Sequence, residues 1–248
     1  MIAAGWVMRF GEEVILKALD RLDPPRCLFC GSAGFGHLDI CHACCQEWPD
    51  AINPCPRCAL PWSDRLCATC STTPPPWQVA VIPFRYVPPV ATLVAGLKYR
   101  DRFMVARILG HLFCERYEQA CDTASRPQLM IPVPLHYSKQ RRRGFNQSCT
   151  VARHMAARLG VRLAPRVLWR HEATSSQVGL SGAARRRNVQ GAFTASPVVR
   201  NRHVALFDDV VTTGATAVAA TAALLAAGAA RVDLWAVARS DGPLSALR

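Results

Sequence analysis

Apolar and polar positions alternate along most of this chain with two periods, and the two periods take turns. Short, nearly continuous apolar runs fall at Trp77 to Tyr86, Leu129 to Leu135, Val161 to Trp169, Arg202 to Phe207 and Arg231 to Ala238. Runs of that length without polar interruption read as strands buried on both faces. Between them lie stretches with apolar residues at helical spacing: Val90 to Tyr99, Met104 to Cys121, Asn146 to Leu159 and Ala215 to about Ala227. Gly160 supplies the stop after the third of these, since glycine accepts the left-handed conformation at a helix end. Strands alternating with helices predict an α/β fold: a parallel sheet flanked by helices, with ligands at the carboxyl ends of the strands.

The pattern is different before residue 77. Val7 to about Leu22 reads as an amphipathic helix, with Glu12, Glu13 and Asp20 among apolar positions. Its acids argue against a basic-then-apolar secretion signal, and no apolar stretch suffices to span a bilayer. A cytoplasmic protein without membrane insertion is expected. From Cys27 to Cys70 the apolar content is too low for a hydrophobic core, but nine of the chain's 12 cysteines lie there. Eight form C-x-x-C pairs: Cys27/Cys30, Cys41/Cys44, Cys55/Cys58 and Cys67/Cys70. A two-residue spacer lets both sulfurs face one ion, and two pairs complete a tetrahedral thiolate site. A disulfide framework would need an oxidising compartment, for which the sequence offers no signal. Two structural zinc ions are therefore expected, supplying the folding energy that a core would otherwise give. The pairs can combine in sequence or interleaved, Cys45 can stand in for Cys44, and His37 and His42 are further candidate ligands. Four-thiolate sites leave no open position on the metal, which points to a structural or binding role. The run Ser71 to Pro76 (STTPPP) is a stiff hinge. The expected organisation is thus an N-terminal helix in 1–26, a double zinc ribbon in 27–71 and an α/β domain in 77–248.

The most informative stretch runs from Val204 to Thr216 (VALFDDVVTTGAT). An apolar strand leads into two adjacent acids, Asp208 and Asp209; a Thr/Gly loop and an Ala-rich helix follow. Gly214 permits a tight turn and close approach of a ligand. Thr212, Thr213 and Thr216 place hydroxyls beside the free amides of a helix N-terminus, including that of Ala215, where an anion is favoured. A helix cap alone would need one such residue rather than two carboxylates and three threonines. The stretch resembles the signature of the type I phosphoribosyltransferases. That resemblance implies that the two acids hold the ribose hydroxyls of phosphoribosyl pyrophosphate (PRPP) and act as the catalytic pair. It also implies that residues 212–216 hold its 5-phosphate.

Charge then sharpens the picture. The chain of 248 residues carries a formal net charge of +13, and from Lys139 to Arg187 twelve Lys/Arg face a single acid, Glu172. So one-sided a field implies an anionic partner, either pyrophosphate or a nucleic-acid backbone. The basic loop after the Leu129–Leu135 strand would bring Arg143, with Gly144 as its turn, to the pyrophosphate of such a ligand. His136, in the same loop, is a weak candidate for a general base. The polar, basic segment Thr174 to Phe193 directly precedes the signature strand, a placement suited to a flap that excludes water from a charged substrate.

Several further motifs, in order, resemble the ComF family of competence-associated proteins. They are the Cys pairs including CPRCALP at 55–61, Leu97–Tyr99 (LKY), Arg142–Gln147 (RRGFNQ), Thr174 with Gln177, Leu180–Ser181, Arg187–Asn188, Ala192–Phe193 and the Asp208–Thr216 signature. Ala59 stands where relatives often carry glycine. The resemblance implies a double zinc ribbon joined to a type I phosphoribosyltransferase-like domain that handles incoming single-stranded DNA together with DNA-uptake proteins. It implies Mg²⁺–PRPP or a related phosphosugar as ligand, Lys98 beside Arg143 at the pyrophosphate, and Gln177, Arg187 and Asn188 on the flap. Two functions follow: transfer of ribose 5-phosphate to an acceptor the sequence does not identify, or non-enzymatic handling of single-stranded DNA through the same anion site. For the second, Phe145 and Phe193 are the aromatic side chains nearest the basic segments, and each also suits the core.

Overall fold

A computed structural model describes residues 24–63, 65–97, 103–121, 126–135, 141, 144–171 and 192–242. The expected N-terminal helix lies outside these. The chain divides into two compact units, Met1–Trp48 and Pro49–Arg248.

In the first unit the short helix α1 (His42–Gln46) begins at Cys41. In the second, α2 (Ala68–Thr72) begins at Cys67. The sheet strands follow: β1 (Ala80–Val81), β2 (Phe84–Arg85), β3 (Leu129–Pro132), β4 (Arg162–Leu163), β7 (His203–Val211) and β8 (Arg231–Arg239). A separate antiparallel pair is formed by β5 (Leu168–Arg170) and β6 (Phe193–Ala195). The helices are α3 (Val90–Gly96), α4 (Phe103–Ala120), α5 (Gln147–Leu159) and α6 (Ala215–Ala226).

The main sheet runs β1-β8-β7-β3-β4, with β2 also on β8, and every pairing is parallel. This is the expected parallel α/β architecture. From β3 the chain passes through α5 to β4 on one side; from β7 it passes through α6 to β8 on the other. Right-handed crossovers in opposite directions put α5 and α6 on opposite faces. They also make the gap between β3 and β7 the point where strand order reverses, so a crevice opens beyond their carboxyl ends.

Two expected strands are broken. Trp77–Tyr86 is realised as β1 and β2, separated at Pro83, which has no N–H for the ladder. Val161–Trp169 is split at Pro165 into β4 and β5, which belong to different sheets. Conversely, β7 continues past Phe207 to Val211, carried by its register with β8 as far as Val211↔Arg239. The two acids therefore sit inside the second half of the strand rather than beyond its end.

The sheet is covered on both faces. On one, Phe113 and Tyr117 of α4 pack on Trp235, and Phe113 meets Phe207 edge-on. On the other, Val204, Leu206, Val232 and Leu234 share a core with Ala217, Ala220 and Leu224 of α6. That same core contains Cys55, Cys58, Cys67, Cys70 and Trp77. The expected division into a double ribbon at 27–71 and a domain at 77–248 is therefore not where the compact units part. The second cysteine group is part of the larger unit because its thiols are buried against the same apolar cluster as the sheet. Ala80 N–H donates to Pro56 C=O (2.8 Å), and Trp77 Nε1 donates to Arg57 C=O (2.6 Å), tying ribbon to strand. Among the described residues no helix is long and apolar enough to cross a membrane.

Candidate anion site and two tetracysteine centres

The loop after β7 is shaped by one residue with positive φ. Gly214 sits at φ 78° and ψ −1° as the N-cap of α6. This is the left-handed region that glycine enters without steric cost. Having no side chain, it cannot cap the helix, so the leading amides of α6 remain available to an outside acceptor. The contact from Ala215 N–H to Thr213 Oγ1 is long, at 3.5 Å. Asp208 and residues 210–217 line a small pocket of about 40 Å³. The structure thus places Asp208, Thr212, Thr213, Gly214, Ala215 and Thr216 around one pocket, with Thr212 and Thr213 exposed. Asp209 adjoins Asp208 on β7 but does not line this pocket.

Asp208 is held from two directions. Its Oδ1 accepts from Ser148 Oγ (3.3 Å) and from the Asp209 amide (2.9 Å). Asp209 Oδ1 accepts from the Val210 amide (2.9 Å). Asp208 keeps some exposed surface, yet its carboxyl group is crowded by protein. That burial, followed by the neighbouring charge of Asp209, pushes its pKa well above the ordinary carboxylate range. The hydrogen bonds from the Asp209 amide and Ser148 oppose the shift and are outweighed. A cation or hydroxyl donors arriving from a ligand would relieve the pair.

Ser148 was not singled out in the sequence. It reaches Asp208 because α5 starts where it does: Asn146 caps the helix by accepting from Cys149 N–H (3.4 Å) and anchors to β3 by donating to Val133 C=O (2.9 Å). Only Asn146, next to last in the RRGFNQ run, hinted at it. Arg239, at the end of β8, is a second residue the sequence did not mark. It is 3% exposed and lies under the loop, donating from Nη1 to the carbonyls of Val211 (3.0 Å) and Thr212 (2.6 Å). Arg143, Lys98, His136, Gln177, Arg187 and Asn188 lie outside the described residues. Phe193 is 5% exposed beneath the Arg170 guanidinium (5.5 Å to the ring centre), a core position rather than a platform for bases.

The eight paired thiols form two groups of four, Cys27/Cys30/Cys41/Cys44 and Cys55/Cys58/Cys67/Cys70. Within each group all sulfurs lie within 4.8 Å of one another, so the pairs combine in sequence order and Cys44 rather than Cys45 completes the first. Neither His37 nor His42 belongs to a group. The sulfurs of Cys30 and Cys41, and those of Cys58 and Cys67, are 3.6 Å apart. Tetrahedral zinc with Zn–S near 2.3 Å needs about 3.8 Å, so the donor set fits the metal. No disulfide occurs among the described residues.

The two groups are copies of one local structure. Gly31 N–H donates to Cys27 C=O (2.9 Å), and Ala59 N–H donates to Cys55 C=O (2.8 Å). Cys27 N–H then closes on Ser32 C=O, and Cys55 N–H closes on Leu60 C=O, both at 2.8 Å. Amides also tune the sulfurs. Burial of Cys55 alone would raise its pKa, but the amides of Cys67, Arg57 and Cys58 bring it down to about 7. Cys30 is lowered to about 6, first by the Ser32 hydroxyl and amide and then by neighbouring thiols. Cys58 goes the other way, pushed up to about 12 chiefly by burial. Four close thiols cannot all ionise alone, and a dication is what would let them.

The chain matches no family model. It is 35% identical over 222 residues to the DNA utilization protein YhgH of Escherichia coli O6:H1, covering 88% of this chain and 98% of that protein. It is 30% identical over 224 residues to Competence protein F of Haemophilus influenzae, covering 87% and 97%. Among solved structures, the glutamine PRPP amidotransferase from B. subtilis superposes with a TM-score of 0.41 at 20% identity, over 58% of this chain and 30% of that one. Adenine phosphoribosyltransferase from Leishmania tarentolae gives 0.35 at 15% identity, over 55% and 71%. With its motifs in order and its sequence aligned along almost the whole length of YhgH and Competence protein F, the chain belongs to the ComF family of competence and DNA-utilization proteins.

Proposed function

We propose that this chain binds the magnesium complex of PRPP beyond the carboxyl ends of β3 and β7 and transfers ribose 5-phosphate to an acceptor. The observation that carries the reading is the joining of an uncapped helix N-terminus at Gly214 with the crowded Asp208 carboxyl in one pocket. Anions are drawn to the first, while the second is crowded by burial and by Asp209 beyond what its two hydrogen-bond donors offset.

In this reading residues 212–216 grip the 5-phosphate through amides and threonine hydroxyls. Asp208 and Asp209 accept hydrogen bonds from the ribose hydroxyls, with Ser148 holding Asp208 in its orientation. Arg143 and Lys98 neutralise the departing pyrophosphate, and Gln177, Arg187 and Asn188 belong to the flap that keeps water from the sugar cation. Oxygen donors of the two acids suit magnesium, which supplies charge neutralisation of the pyrophosphate when bound. Because Asp208 is already fixed by two donors, little reordering is needed when the sugar arrives.

Asp208→Asn/Asp209→Asn should abolish PRPP binding in calorimetry, weakening it by about a hundredfold or more, while circular dichroism stays native. Unchanged affinity in that double variant would refute the site.

One observation favours a second reading, in which the chain handles single-stranded DNA. Trp169 on β5 is 46% exposed, and Arg166 and Arg170 beside it are exposed as well. An open indole can stack a base while exposed cations of the same segment hold phosphates. The relatives' names, DNA utilization protein and Competence protein F, point the same way. Here Trp169→Ala should weaken single-strand binding about tenfold without altering PRPP affinity, as alanine scans of stacking residues show. An equal loss of both would merge the two sites into one.

A further inference from the structure

Arg239 ends the last strand of the sheet, and its guanidinium is spent entirely on main-chain oxygen. Nε donates to Cys58 C=O (3.1 Å). Nη1 donates to Val211, Thr212 and Ser240 C=O (3.0, 2.6 and 2.7 Å), and Nη2 to Gly242 C=O (2.6 Å). Cys58 is a thiol of the second four-cysteine group, while Val211 and Thr212 open the loop that lines the anion pocket. A single rigid fork therefore joins the metal-binding knuckle to the loop. The knuckle cannot drift freely, since Cys58 is 3% exposed and its ring of thiols lies in the core.

We propose that Arg239 is a positioning residue that sets the anion loop from the second tetracysteine centre, so that the metal held there governs how tightly the loop grips a phosphate. The proposal rests on the PRPP reading for the identity of the ligand. The physical reasoning does not depend on it. Carbonyls of Val211 and Thr212 pulled down onto the guanidinium turn the following amides upward, towards the pocket. The buried positive charge also lies on the pocket's underside, where it adds to the potential that an anion meets. A lysine there would keep the charge but could not span five carbonyls in one plane.

The test uses the full chain loaded with cadmium in place of zinc, with wild type, Arg239→Lys and Arg239→Met compared. Arg239→Met strands five carbonyls and can fail to fold; Arg239→Lys keeps a cation and is the deciding variant. The expected result is that Arg239→Lys binds two metals per chain and melts cooperatively, yet shows faster amide exchange across residues 211–216. Its affinity for PRPP should fall about ten- to a hundredfold. In the wild type, PRPP should shift the cadmium NMR signal of the second group and leave that of the first unmoved; in Arg239→Lys neither should move. Wild-type protein that fails to bind PRPP would sink the reading of the ligand, and loop exchange in Arg239→Lys would then decide the strut on its own. Unchanged loop exchange in that variant overturns the proposal.

Discussion

A single crowded carboxyl group makes the stability of the fold depend on pH. Burial and Asp209 raise the pKa of Asp208 in the folded chain, so the folded state binds its proton more readily than the unfolded one. The sign follows: stability is fullest below the ordinary carboxylate range, near pH 4, and is lost as pH rises from there towards the raised value. Asp208→Asn removes the ionisation. It should therefore raise the melting temperature of the ligand-free chain at neutral pH, with the gain vanishing below about pH 4. A Tm difference that does not change with pH would show that Asp208 is not strained by its charge. The identities of Asp208, Asp209 and the Thr/Gly loop were legible in the sequence because the whole constellation is local in the chain. Ser148 and Arg239 were not, since Ser148 reaches Asp208 across 60 positions of chain, and Arg239 reaches Val211 across 28 and Cys58 across 181, only after β-strand order brings them together.

At the scale of elements, the repeated knuckle carries a visible imperfection. Its first copy turns through Gly31 at φ 75°, and its second turns through Ala59 at φ 58°. An L-residue pays roughly 1–2 kcal/mol in that region, whereas glycine does not. Ala59→Gly should therefore stabilise the larger unit by about 1 kcal/mol, less glycine's extra chain entropy, as read from chemical denaturation of the metal-loaded chain. An absent or opposite effect would mean that the buried methyl, 3% exposed, packs well enough to outweigh the strain. Element types were read well where end signals were explicit, as with Asn146 and Gly160 flanking α5. They were read poorly where a proline sat inside an apolar run, because Pro83 and Pro165 interrupt ladders that hydropathy alone draws as continuous.

Across the whole molecule, the parallel sheet was expected but the membership of the second ribbon was not. Hydropathy reads cysteine-rich segments as coreless, and nothing local indicates that four thiols will be buried under α6 and the sheet. The consequence can be measured. Cys55→Ser should lower the cooperative unfolding temperature of the Pro49–Arg248 unit sharply, on the scale of several kcal/mol, whereas Cys27→Ser should leave that transition in place. Equal losses from both substitutions would mean that the units unfold as one.

The margins of the sheet also set how copies of this chain can meet. One edge ends in β1 and β2 and the other in β4, each only two residues long. The nine-residue strands β7 and β8 are enclosed between them. Stubs of that size offer too few unpaired amides and carbonyls to template an incoming strand. Strand addition along the edges of this sheet is therefore disfavoured, and a folded population should resist fibril-type polymerisation through it even when crowded.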